Sequence, residues 1–113
     1  MYSTINLIGS TKYETIFREL EEKLSLNGYL VFSPLVYNQS GNNPSCGLDK
    51  KLVLDNEANL KTNKSDIVFV VDVDGYIGNS TSNQIEHAKL LNKPILYYSK
   101  GDINKLIKEL AIC

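Results

Sequence analysis

Two short polar segments combine the residue types that hold a small polar ligand. The first is Gly9-Ser10-Thr11-Lys12, which sits between an apolar run and a helical pattern. Glycine allows the backbone to approach a ligand, the hydroxyls offer hydrogen bonds, and a helix starting here presents unpaired N–H groups and the positive end of its dipole to an anion. A phosphate or a ribose hydroxyl fits such a turn. The segment is neither a Walker loop nor a G-x-G-x-x-G fingerprint, so the same residues also read as a capping turn that needs glycine only to bend. The second segment runs from Asp72 to Ser80 and contains Gly75-Tyr76-Ile77-Gly78-Asn79-Ser80. It has the same design, a glycine-bearing loop feeding a polar helix start, and its acids Asp72 and Asp74 can hold sugar hydroxyls. Its bland reading is a solvated loop.

The elements that must position these segments alternate. Ile5 to Ile8 form an apolar run, followed by Tyr13, Phe17, Leu20 and Leu24 at helical spacing. Thr11 and Glu14 fit a capping box for that helix, and Gly28 can supply its left-handed stop. Tyr29 to Phe32 read as a second strand ended by Ser33 and Pro34, and the polar stretch from Leu35 to Gly47 reads as a long loop in which Tyr37 is the one large side chain. A helix carrying Leu52, Val53, Ala58 and Leu60 is expected from about Asp49. Ile67-Val68-Phe69-Val70-Val71 is continuously apolar and β-rich, the pattern of a central parallel strand covered on both faces. Ser80 or Thr81 can cap the next helix, which carries Ile85, Ala88 and Leu91 inward and ends near Asn92. Pro94 to Tyr98 form the fourth strand, with Tyr97 and Tyr98 on opposite faces. A last helix carries Ile103, Leu106, Ile107 and Leu110 behind a cap at Asp102. This alternation predicts one α/β domain over residues 1–113, built on a short parallel sheet of about four strands, with its ligand outside the carboxyl ends of the strands where strand order reverses.

Composition narrows the partners. A chain of 113 residues, 42% hydrophobic and 22% charged, has the size of one compact domain. The net charge of -1 is spread along the chain with no basic stripe, so nucleic acid is not an expected partner. No apolar stretch reaches the roughly 20 residues that span a bilayer, and no signal peptide is recognisable at the start, so no membrane partner and a cytoplasmic location are expected. Cys46 and Cys113 have neither metal-ligand nor disulfide spacing and read as incidental thiols, and neither a metal nor a cofactor is expected. The Asn-x-Ser/Thr matches at Asn38, Asn63 and Asn79 carry no meaning without secretion.

Several of these segments together resemble the nucleoside 2-deoxyribosyltransferase-like superfamily, and especially its small members found in phage genomes. The likeness rests on Gly9-Ser10-Thr11-Lys12 after a strand, Ser33-Pro34, Ser65-Asp66-Ile67-Val68-Phe69-Val70, Gly75-Tyr76-Ile77-Gly78-Asn79-Ser80-Thr81, and Ile85-Glu86-His87-Ala88 before Lys93-Pro94-Ile95. It covers nearly the whole chain. The resemblance implies a flavodoxin-like or Rossmann-like three-layer sandwich, a nucleoside or nucleotide ligand, and homo-oligomers whose pockets a neighbouring subunit completes, with Tyr37 or its loop reaching across. It also implies a mechanism: in active members a glutamate four residues before the alanine of the late helix attacks the anomeric carbon and forms a glycosyl ester.

The departure from that pattern is specific. Counted back from Ala88, the nucleophile position holds Gln84, a neutral amide that cannot readily carry a glycosyl ester. The position of an assisting acid on the preceding helix holds Ala58. Glu86 lies two residues from Gln84, roughly 200° around a helix, and Glu57 is displaced by about 100° from Ala58. The single histidine, His87, has no partner at a motif spacing and reads as a surface residue. The expectation is therefore a protein that binds, and in a viral setting sequesters, a nucleotide-like or nucleoside-like molecule such as an ADP-ribose derivative or a cyclic nucleotide, without catalysis. The residues expected around it are Gly9, Ser10, Thr11, Lys12, Pro34, Tyr37, Asp72, Gly75, Tyr76, Gly78, Asn79, Ser80 and Gln84. The alternative is an active deoxyribosyltransferase or nucleotide N-glycosidase that uses Glu86 or Glu57.

Overall fold

Apolar runs from four places in the chain build the sheet. A computed structural model, which describes residues 3–34 and 50–107, contains β1 (Thr4–Gly9), β2 (Leu30–Phe32), β3 (Ile67–Val71) and β4 (Ile95–Tyr97). They form one sheet in the order β2-β1-β3-β4, and each neighbouring pair is parallel. The helices are α1 (Glu14–Leu26), α2 (Lys50–Asn63) and α3 (Asn79–Leu90).

Alternation along the strands divides the core in two. Ile5 and Leu7 of β1 and Phe69 and Val71 of β3 pack with Phe17, Leu20 and Leu24 of α1. Ile8, Val68 and Val70 point to the opposite face, against Ile85 and Ala88 of α3. Helices thus cover both faces, the expected three-layer α/β sandwich. Leu106 closes the α1 layer, and the Tyr29 hydroxyl donates to its carbonyl at 3.0 Å, tying the end of the described chain to the start of β2. Tyr97 and Tyr98 do fall on opposite faces, one against the α3 layer and one against the α1 layer. No helix among the described residues is long and apolar enough to cross a membrane.

Several expected caps form differently. Thr11 and Glu14 make no capping box. A 3-10 turn over Thr11–Tyr13 intervenes, and Ser10 caps it by accepting from the Lys12 N–H at 3.3 Å. Neither Ser80 nor Thr81 caps α3, whose cap residue is Gly78. Asp102 does not cap a helix either: Gly101 takes that place for a 3-10 turn over Asp102–Lys105, while the Asp102 carboxylate accepts from the Tyr97 N–H at 2.9 Å. This acid closes the turn after β4, where its charge is better used on a buried amide than on a short turn. Leu91 is 40% exposed because α3 ends at Leu90, before a further turn could carry it inward. Asn92, with φ 57°, provides the left-handed exit. Tyr37, Cys46, Leu110, Cys113 and the long loop lie outside the described residues.

Candidate ligand site

The strand order reverses at β1. From β1 the chain crosses to β2 on one side, then returns past β1 to β3 on the other, so the loops leaving β1 and β3 diverge and leave a crevice between them. A cavity of about 530 Å³ occupies that place. Its floor is β1 from Asn6 to Gly9, continued at the mouth by Ser10 and Thr11. One wall is α2, through Leu54, Asp55, Glu57, Ala58 and Lys61. The other is the first turns of α3, through Gly78, Asn79, Ser80, Thr81 and Gln84, and Pro34 and Tyr76 border it from the adjoining loops. The volume falls within the ordinary range for small-molecule pockets, roughly 300–1,000 Å³.

Helix phase sorts the acids. Gln84 borders the cavity, whereas Glu86 is exposed and pairs with Lys89 at 3.2 Å. Ala58 and Glu57 both border it, so the displacement of about 100° leaves Glu57 on the edge of the wall rather than behind it. The Glu57 carboxylate lies 3.4 Å from the Lys61 ammonium, which also donates to the Ser33 carbonyl at 2.8 Å. Lys61 therefore ties α2 to the end of β2. Nothing in the local sequence marked Lys61, Asp55 or Leu54, since long polar stretches of α2 give no phase until the helix is seen against the sheet.

Other expected ligand residues have different employment. Asp72 is 4% exposed and does not border the cavity. Its two carboxylate oxygens accept from the Ser99 N–H at 2.8 Å and the Ser99 hydroxyl at 2.6 Å, so it joins the end of β3 to the turn after β4. Lys12 also stands off the cavity, its ammonium 4.0 Å from the centre of the Tyr76 ring and 5.2 Å from that of Tyr13. Gly75 has φ 80° and open space around it, and with Asp74 at φ 54° it turns the chain toward Tyr76 without bordering the cavity. The requirement for glycine at position 9 comes from the sheet. With φ 151°, a Cβ there would lie 2.8 Å from the Val71 carbonyl oxygen and 3.1 Å from its Cβ. His87 lies outside the cavity lining and shares a 2.8 Å hydrogen bond with Asn63, linking α3 to the end of α2.

Two buried polar side chains border the cavity and were not among the expected ligand residues, although Thr81 was a candidate cap. Asn6, 1% exposed, donates through Nδ2 to the Thr62 hydroxyl at 3.0 Å. Thr81, 5% exposed, belongs to the first turn of α3. An apolar-looking strand hides such an asparagine: Asn6 alternates onto the face that α2 and α3 cover, as Ile8 does, and only the packing of α2 reveals its partner.

A comparison with models of known protein families returns no match, and a comparison with curated proteins returns none either.

Proposed function

We propose that this chain binds a nucleoside-derived or nucleotide-derived small molecule in the cavity at the β1/β3 reversal and does not turn it over. The observation that carries this reading is the position of Gln84. It borders the same cavity as the Gly9–Thr11 turn and the amide end of α3, and its neutral side chain can hydrogen-bond a sugar but cannot form a stable glycosyl ester. The glycine-bearing turns supply backbone and hydroxyl groups for polar contacts, and the Tyr76 ring, 47% exposed at the rim, offers a stacking surface for a base. In a chain that resembles small phage-borne proteins, the use of such a binder is to hold a host nucleotide signal, an ADP-ribose derivative or a cyclic nucleotide, away from its receptor.

A second reading has one observation in its favour: Glu57 borders the cavity. A glycosidase or deoxyribosyltransferase working through Glu57 would have to free that carboxylate from Lys61 before it could attack. Mass spectrometry of whatever nucleotide copurifies separates the readings. A ligand released intact by heat supports binding, and recovery of free base and sugar phosphate supports cleavage.

We also propose that the protein works as a homo-oligomer. Leu52, Val53 and Leu60 on α2 are each more than half exposed, at 58%, 56% and 56%, on the helix that forms one cavity wall. A second copy covering them would bring a neighbour to the rim of the site, and a monomer in light scattering at micromolar concentration would overturn this.

A further inference from the structure

We infer that Asn6 is the residue that reads the ligand at the cavity floor, through a hydrogen bond from a neutral donor group of a nucleoside to the Asn6 side-chain carbonyl. This rests on the proposal that the cavity binds a nucleoside-derived molecule, and adds which residue discriminates and what it recognises.

The argument begins with a polar side chain in an otherwise apolar strand. Asn6 lies between Ile5 and Leu7, all three buried, and transferring an amide into such surroundings is costly unless its hydrogen bonds are made. Only one of them is made among the described residues, from Nδ2 to the Thr62 hydroxyl at 3.0 Å. Among the same residues, no fully enclosed side-chain nitrogen or oxygen lacks a partner. The Asn6 carbonyl has no partner among these residues, and the cavity is the space that Asn6 borders. Thr62, wholly buried on α2 and outside the cavity lining, takes the amide nitrogen and leaves the carbonyl for another partner. An acceptor held this way demands a donor.

On the α2 wall the Glu57 carboxylate already holds the Lys61 ammonium at 3.4 Å, so that pair offers little to a phosphate. Any phosphate of the ligand belongs toward Ser10, Thr11 and the amide end of α3. The donor at Asn6 is then an exocyclic amine of the base or a hydroxyl of the sugar.

Calorimetric titration with adenosine, purine riboside, 2'-deoxyadenosine and 3'-deoxyadenosine distinguishes these sources. Purine riboside lacks the amine, and each deoxy compound lacks one hydroxyl. The unmodified protein should prefer adenosine over one of the three by roughly fivefold to tenfold, the worth of one buried hydrogen bond. The paired replacement Asn6→Leu with Thr62→Val removes both hydrogen-bond partners together, and should reduce that preference below about twofold. Thr62→Val alone leaves the amide in place but unanchored. It should erode the preference, a readout that packing alone would not move, and it tests the assignment if the paired variant does not fold. Unmodified protein that binds none of the four overturns this inference, while the nucleoside reading then stands or falls on the copurifying nucleotide. Binding with no preference, or a preference that survives in both variants, overturns the role of Asn6 while leaving the nucleoside reading standing.

Discussion

Lys12 and Tyr76 join two loops beside the cavity: the ammonium from the loop after β1 lies 4.0 Å from the centre of the ring from the loop after β3. Tyr13 meets the same ring edge-on at 6.4 Å, so the two diverging loops are joined by one cation and two aromatics. Exposed cation–π contacts contribute about 0.5–1 kcal/mol. A double-mutant cycle on Lys12→Met and Tyr76→Leu, followed by urea denaturation, should return a coupling energy of that size. A coupling of zero would mean that the loops are held independently.

Gly9 is required by the sheet before any ligand is considered. Gly9→Ala places a methyl group against the Val71 backbone at a φ that L-residues avoid, and should destabilise the fold by roughly 3 kcal/mol, combining overpacking with backbone strain. Gly75→Ala meets no neighbouring atom within 4 Å and should cost only the left-handed conformation, about 1 kcal/mol. Denaturation midpoints of the two variants compare them directly, and equal losses would contradict this account.

The same contrast shows what the sequence could and could not convey. Periodicity located the four strands and α1, because Ile67–Val71 or the Phe17, Leu20, Leu24 stripe carries its own phase, but the expected last helix is only a 3-10 turn over Asp102–Lys105 among the described residues. The alternation pointed to the loops after β1 and β3 and the resemblance pointed to Gln84, and Gly9–Thr11, Gly78–Ser80 and Gln84 do border one cavity. Side chains whose partners lie far along the chain were not legible. Asp72 looked like a ligand acid because Ser99 is 27 residues away, and Asn6 looked like a strand residue because Thr62 is 56 residues away. Lys12 looked like a phosphate ligand until the Tyr76 ring was found beneath it.

Asp72 therefore belongs to stability rather than to recognition. Its carboxylate takes two hydrogen bonds from Ser99, and charge-assisted bonds of this kind contribute about 1.5–3 kcal/mol each before desolvation is counted. Asp72→Ala should lower the denaturation midpoint by an amount corresponding to roughly 2–3 kcal/mol, and should leave the affinity for a copurifying nucleotide unchanged once the variant is folded. A selective loss of affinity with normal stability would return Asp72 to the site.

Asp102 makes acid stability sensitive to one turn. Its hydrogen bond from the Tyr97 N–H, aided by the ammonium of Lys105 at 3.2 Å, holds its carboxyl below the usual carboxylate range. A depressed value in the folded state means that the stabilisation is complete above the unfolded carboxyl's titration near pH 4 and is lost as pH falls through the lower folded value. Melting temperature should fall less steeply below about pH 4 in Asp102→Asn than in the unmodified protein. Parallel profiles would remove this linkage.

Gln84 provides the most direct test of binding against catalysis. Under the proposed reading, glycosyl transfer would need a carboxylate where the wall of α3 carries Gln84, and Glu86 is turned outward to Lys89. A site without its nucleophile commonly loses several powers of ten in rate, so on the proposed reading turnover of deoxynucleosides, deoxynucleotides or ADP-ribose compounds by the purified protein should lie near background. Affinity depends on the remaining contacts and should persist. Gln84→Glu adds the missing carboxylate beside the same cavity, and should bring slow glycosidic cleavage detectable as free base by chromatography. The position that the resemblance gives to an assisting acid holds Ala58, so Gln84→Glu combined with Ala58→Asp should be faster than either change alone. Brisk cleavage by the unmodified protein, abolished in Glu57→Gln and unaffected in Glu86→Gln, would identify Glu57 as the working carboxylate. The salt bridge to Lys61 would then be the resting state of an enzyme rather than the wall of a binding pocket.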